Sequence, residues 1–199
     1  GVKNARFFLN ALNSFRHVFS YRSTWLVFCL VVIGFIGSSE MVGVTSFCRF
    51  FGLGESGYKS FLHFFRYSTW SLELLVFQWT TFVLAQGKTV VKQGRAVLAG
   101  DHTYVPKDGR LMPGVVTAHQ NSETQSKPSY FRGHQWGAIS LLIGSLAAPF
   151  GLPLALSIHQ GLIHIGKENE NETLQTRIMS MAISFALKHN LPSILTLDA

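Results

Sequence analysis

Two carboxylates in this 199-residue chain stand where hydrophobic strands should end. Asp101 follows Ala96-Val97-Leu98-Ala99-Gly100, and Asp198 follows Ile194-Leu195-Thr196-Leu197. Neither run needs a charge of its own. A lone carboxylate buried in such a strand would cost several kcal/mol to desolvate, so Asp101 either sits at an open strand end or meets a cation. If the two strands lie side by side and parallel, the carboxylates, 97 positions apart in the chain, meet at one end of a sheet. Adjacent carboxylates repel unless a proton or a divalent ion intervenes. A hard cation with oxygen ligands suits them, and Mg2+ takes one or two carboxylates together with substrate phosphates.

The elements that must bring these residues together are legible in part. Residues 5–85 read as helical. Phe8, Leu12, Phe15 and Phe19 recur at spacings of 4, 3 and 4 and form one apolar stripe. The Leu26–Ile36 run follows, and then a helix, a Gly52-Leu53-Gly54 turn and a second helix. There Phe47, Phe50 and Phe51 are expected to face one way, and Tyr58, Phe61, Leu62 and Phe65 to form the next apolar face. Lys59, His63 and Arg66 would then be the exposed basic side of a helix–turn–helix, or of an ordinary helical hairpin. Residues 86–96, rich in Gly and Lys, read as a joint.

From Arg95 the pattern becomes that of strands. Residues 105–133 carry Pro106, Gly109, Pro113, Gly114, Pro128 and Gly133 and read as a long loop. "WGAISLLIGS" and "LPLALSIH" read as two strands covered on both faces, with a turn at "AAPFGLP". Leu174, Ile178, Met181 and Phe185 mark a helix of about 18 residues by period. Asn169 with Glu172 fits its capping box, Lys188 and His189 suit its C-terminal dipole, and Pro192 stops it. A single helical crossover joins parallel strands of one sheet, and the two carboxylates meet if "SILTLDA" lies beside "AVLAGDH". The second half thus reads strand, loop, strand, strand, helix, strand.

Composition narrows the partners. The net charge is +7. Residues 1–100 hold ten Lys/Arg and three acids, and residues 101–199 hold seven of each. The basic excess lies in the first half and suggests a polyanion, either nucleic acid or an anionic membrane surface. Cys29 and Cys48 lie in apolar stretches without CxxC spacing and read as buried reduced thiols. Uncharged runs of 17, 14 and 22 residues cover 23–39, 74–87 and 137–158. A spanning helix needs about 20 apolar residues, and Pro149, Gly151 and Pro153 interrupt the longest run, so no membrane is expected. A small polytopic membrane protein is the alternative, with continuous helices at 23–39 and 137–158.

The motifs form an ordered set. "LAGDHTYVPKDG" carries Asp101, Thr103, Lys107 and Gly109, and "TAHQ" (117–120), "FRGHQWGAISLL" (131–142), "FGLPLALSIH" and "LPSILTLDA" follow it. Upstream lies "VTSFCRFFGLGESGYKSFLHFFRYSTWS". From about residue 40 onward this set resembles the DDE-type insertion-sequence transposases, whose catalytic domain has the ribonuclease H-like fold. The resemblance implies an α+β or α/β protein. Residues 1–92 would be a helical, basic DNA-binding region, and residues 93–199 the first part of an incomplete ribonuclease H-like mixed sheet.

The resemblance also implies Asp101 and Asp198 as catalytic metal ligands for two Mg2+ or Mn2+ ions, about 3.5–4 Å apart, in metal-assisted phosphoryl transfer. Asp101 would bridge both ions and Asp198 would bind one. Water would cleave the element's end, and the freed 3′-hydroxyl would attack target DNA. Lys107 and Arg110 would neutralise strand phosphates, and Lys59, Arg66 and His134 would add DNA contacts. The partners implied are double-stranded DNA and further copies of the full-length chain, in a prokaryotic cytoplasm at the nucleoid. The family's third acid, a Glu on a later helix, has no counterpart here, because Glu168, Glu170 and Glu172 precede the second Asp. The 199 residues alone are therefore expected to lack full activity. An inactive DNA-binding remnant is a further alternative.

Other histidines have plainer readings. His102 suits a polar layer, His119 and His134 ordinary hydrogen bonds, and His159 and His164 structural roles. Trp136 reads as core. Neither a Gly-x-Ser-x-Gly elbow nor a phosphate-cradling P-loop is present.

Overall fold

The computed structural model describes residues 2–39, 43–67, 69–107, 112–119, 130–159 and 173–197. The chain divides into two compact units, Gly1–Ala85 and Gln86–Ala199. The division falls ahead of the boundary expected after Lys92, because a short strand at Val91–Lys92 already pairs within the second unit.

The first unit is helical. It contains α1 (Val2–Ser14), a short 3-10 turn (Arg16–Val18), α2 (Arg22–Gly37), α3 (Val44–Phe50), α4 (Glu55–Arg66) and α5 (Leu72–Ala85). α1 ends at Ser14, so of the expected stripe only Phe8, half-buried, and Leu12, buried, lie on it, while the buried Phe15 and Phe19 flank the 3-10 turn that follows. Phe19, Phe47 and Phe61 are almost fully buried and anchor an aromatic core. α4 is turned relative to the expected face. It buries Phe61 and Phe64 and leaves Tyr58 and Phe65 exposed. Phe61 meets Phe47 at 5.6 Å between ring centroids, and Phe64 stacks on Trp70 at 5.2 Å. Of the three phenylalanines expected to share a face, Phe47 is almost fully buried, Phe51 is partly buried against the same core, and Phe50 stays exposed. Cys29 and Cys48 are buried free thiols, and burial pushes the Cys29 thiol up from its ordinary pKa. No described helix is long and apolar enough to cross a membrane.

The second unit is a mixed sheet under one helix. Its strands are β1 (Val91–Lys92), β2 (Arg95–Pro106), β3 (Val116–His119), β4 (Tyr130–Ser145), β5 (Ala148–His159) and β6 (Ser193–Leu197), with α6 (Leu174–Lys188) between the last two. β4 lies antiparallel to both β2 and β5, so the long strands run β5-β4-β2. β6 joins the far side of β2 in parallel. Strand structure thus enters both ends of the stretch expected to be a loop. β2 runs on to Pro106, β3 occupies part of the interval, and β4 begins at Tyr130.

The hairpin between β4 and β5 also corrects the expected turn. It closes at Leu146-Ala147, and Pro149, Gly151 and Pro153 lie inside β5. Among the described residues β5 pairs with β4 alone, and an edge strand with a bulge tolerates prolines that a central strand does not. The pairing shifts register between Ile139 and Ser140, leaving Leu154 as the extra residue. β5 is not covered on both faces, since Phe150 and Leu156 are exposed. Residues 137–158 are a strand hairpin and not one continuous helix.

The core of this unit lies between one sheet face and α6. Leu98, Ile139, Leu141 and Ile178 are almost fully buried, joined by Ala182 and Phe185. Fully burying such a side chain stabilises by about 1.5–3 kcal/mol. Gly100 lets α6 approach, because a Cβ there would lie 2.5 Å from Ile178 Cγ2 and 2.7 Å from Leu197 Cδ2. α6 is 15 residues long and its N-cap is Thr173, whereas Asn169 and Glu172 of the expected cap lie outside the described residues. Thr176 donates its amide to Thr173 Oγ1 at 3.1 Å, and the Thr173 amide returns a bond to Thr176 Oγ1 at 2.8 Å. Two threonines thus perform the reciprocal capping that the sequence suggested for Asn and Glu.

Candidate metal centre

β2 and β6 pair in parallel from Ala96↔Ser193 to Gly100↔Leu197. Asp101 and Asp198 are the residues that follow the last pair in each strand. Asp198 itself lies outside the described residues. Thr196 Oγ1 donates to the Leu98 carbonyl at 3.0 Å and ties the two strands two residues before the end. β6 thus lies parallel beside β2, the arrangement on which the expected pairing of the two carboxylates depends.

Asp101 is exposed. Its position resolves the choice posed by its hydrophobic strand, because an exposed carboxylate carries no large desolvation cost and needs no cation for that reason. Past Gly100, β2 has lost β6 and is paired by β4 alone among the described residues. One carboxylate oxygen, Oδ1, accepts the backbone N–H of His102 at 2.7 Å. No described Lys or Arg makes an ion pair with Asp101. Across the ladder it faces Ala138. Its exposure and its hard oxygen donors are of the kind that a divalent cation takes. Among the described residues no group of three or more His, Cys, Asp or Glu could hold a metal ion, so a site here rests on the two aspartates and on groups supplied from elsewhere.

Strand alternation sends His102 to the opposite face from Asp101, the face that α6 covers. There His102 Nε2 lies 3.3 Å from His159 Nδ1, with the rings edge to face at 5.3 Å. Next to them Gln135 Nε2 donates to the Tyr104 hydroxyl at 3.1 Å. Burial holds the His102 imidazole below its ordinary pKa, the Asp101 carboxylate pulls the other way, and the Arg177 guanidinium adds to the lowering. The expectation for these two histidines is of separate roles, His102 in a polar layer and His159 structural. Their contact spans 57 positions and has no local signal.

No known relative shows itself. Comparison with protein families, curated proteins and solved structures finds no significant match to this chain. Its chemistry has to be argued from its own residues.

The remaining candidates fall in different places. Lys59 and Arg66 are exposed on α4, and Lys59 Nζ pairs with Glu55 at 2.7 Å. Lys107 is partly buried, and its amide donates to the Arg132 carbonyl at 2.9 Å. Arg110 lies outside the described residues. His134 is buried, with Nε2 2.9 Å from the Pro113 carbonyl and its ring edge-on to Trp136. That ring is engaged with its own chain. Trp136 is half-buried and not a core residue. His119 contributes its backbone to the pairing of β3 with β4, and His164 lies outside the described residues.

Proposed function

We propose that this chain carries the first part of a DDE-type transposase core, of ribonuclease H-like fold, which cleaves and joins DNA with divalent cations. One observation carries the reading: β2 and β6 pair in parallel up to Gly100↔Leu197, and in the sequence an aspartate follows each of these two residues. The strand order β5-β4-β2-β6, with α6 crossing to a strand parallel to the first, supports a ribonuclease H-like half-sheet. The resemblance of the motif set from "LAGDHTYVPKDG" to "LPSILTLDA" adds the DNA substrate.

Asp101 and Asp198 would hold Mg2+ or Mn2+, which supplies charge neutralisation at the attacking and leaving oxygens of a phosphodiester. The chain's own contribution is placement. β2 and β6 would bring the two carboxylates to one sheet end, and the exposed Asp101 would offer its second oxygen to the cation. Lys59 and Arg66 on α4, and Lys107 beyond β2, would meet backbone phosphates by charge without reading sequence. Synapsis of two DNA ends calls for more than one copy of the full-length protein.

Mn2+ binding, followed by electron spin resonance of the free ion, tests the metal assignment. Saturable binding by the wild-type chain, with loss of at least tenfold in affinity in both Asp101→Asn and Asp198→Asn, is expected. Unchanged binding in either variant refutes the pairing.

A further inference from the structure

Asp101 lies where β2 has just lost one neighbour, and the residues from Asp101 to Pro106 are held by β4 alone among the described residues. Such a strand end can twist away from the sheet plane where, among the described residues, only one of its edges is paired. The opposite face of the sheet contains a tie across this end. His159, on β5, reaches over β4 to His102 on β2 and skips one strand completely. Adjacent strands stand about 4.8 Å apart, so a tie over two spacings must span roughly 9.6 Å. Two imidazoles meeting near the middle can do so only if the strand between them presents no side chain.

That strand presents Gly137. It is the register partner of His102 and is buried. A Cβ at this position would lie 2.4 Å from Cε1 and 2.7 Å from Nε2 of the His159 ring. His159 therefore occupies the volume that any larger residue at 137 would fill, and it is itself buried. Its Nδ1 then meets His102 Nε2 at 3.3 Å. The backbone amide of His102 in turn donates to Asp101 Oδ1. A continuous path runs from the β5 side chain, through the glycine notch, to the carboxylate on the other face.

We propose that His159, seated in the notch left by Gly137, is a positioning residue that holds His102 and thereby aims the Asp101 carboxylate at its cation. The inference rests on the reading of Asp101 as a metal ligand. His159 touches neither the cation nor the DNA. Its effect is to keep the end of β2 in the sheet plane, so that Asp101 keeps the His102 amide on one oxygen and presents the other.

The test compares Mn2+ affinity and urea stability in the full 199-residue chain across five variants. His159→Ala and Gly137→Ala are expected to weaken Mn2+ binding about five- to twentyfold. His159→Asn, whose amide oxygen stands close to where Nδ1 stood, is expected to recover most of that loss. Ile139→Val, which trims the core under α6 without touching the tie, is expected to lower stability and leave Mn2+ affinity unchanged. Asp101→Asn separates the two claims. Loss of binding in Asp101→Asn with wild-type affinity in both His159→Ala and Gly137→Ala overturns the positioning role and leaves the metal reading standing. Failure of Asp101→Asn to weaken binding, or no saturable binding by the wild type, overturns both. A loss in Ile139→Val as large as that in His159→Ala also overturns the proposal, because the effect would then follow stability alone. So does His159→Asn binding no better than His159→Ala.

Discussion

Gly100→Ala is the substitution that most directly probes how the sheet end is built. Gly100 pairs with Leu197 and precedes Asp101. Its added methyl would lie 2.5 Å from Ile178 Cγ2 and 2.7 Å from Leu197 Cδ2, well inside van der Waals contact. Ile178 is 2% exposed and has little room to retreat. Overpacking of this kind costs about 1–3 kcal/mol. The loss of glycine's freedom in the unfolded chain returns about 0.4–1 kcal/mol. The net destabilisation should be roughly 1–2 kcal/mol, and with a urea m-value of about 2 kcal/mol/M the midpoint should fall by roughly 0.5–1 M. A double-mutant cycle locates the cause. Ile178→Ala alone should cost about 2–5 kcal/mol, because it leaves a cavity. In Gly100→Ala/Ile178→Ala the new methyl enters that space, and the double variant should be about 1 kcal/mol more stable than additivity predicts. Additive costs, or an unchanged midpoint in Gly100→Ala, would refute the claim that Ile178 and Gly100 define the helix–sheet spacing.

Two further outcomes follow from α6. Thr173→Ala removes the acceptor for the Thr176 amide and should cost about 0.5–2 kcal/mol by urea denaturation, with Thr173→Ser close to wild type. At the other end, burial and then Lys188 lower the pKa of His189, which packs on Phe185 at 4.7 Å. The folded state therefore binds this proton less readily than the unfolded state, so stability is complete above the ordinary imidazole value of about 6.5 and falls as pH drops below it. His102 adds to the same trend. Lys188→Gln should flatten the decline between pH 7 and 5 in urea midpoints, and a steeper decline would contradict the assignment.

How much of this was legible depends on the range of each interaction. The apolar stripe ending in Phe15 and Phe19 is local, and its spacing alone put these two residues inward, although α1 ends at Ser14. The parallel direction of β6 was legible because a helical crossover joins parallel strands, but α6 connects β5 to β6, and the docking of β6 beside β2 is a long-range choice that no local pattern marks. On α4 the aromatics at 58, 61, 64 and 65 fit two helical faces equally well. Packing against Phe47 and Trp70 chose Phe61 and Phe64, and no local pattern could. Pro149 and Pro153 signalled a turn because proline usually interrupts pairing, yet an edge strand with a bulge admits them. The cap moved because Thr173 and Thr176 offered the same reciprocal bonds as Asn169 and Glu172. The His102–His159 tie was invisible for another reason: it depends on the empty space above Gly137, and an absent side chain leaves no periodic trace.

The constant offset of 97 residues between β2 and β6 has a kinetic consequence. The β4–β5 hairpin closes over two residues, so it can form early and locally. β6 must find β2 across nearly half the chain, and each doubling of such a loop adds about 0.6 kcal/mol of closure entropy. During synthesis, β2, β4 and β5 leave the ribosome well before β6, and they can assemble while β6 is still unmade. The two strands that lead to Asp101 and Asp198 are therefore expected to join last. A chain stalled or clipped before β6 would hold Asp101 without Asp198, and the two carboxylates could come together only once the last strand had been made and docked.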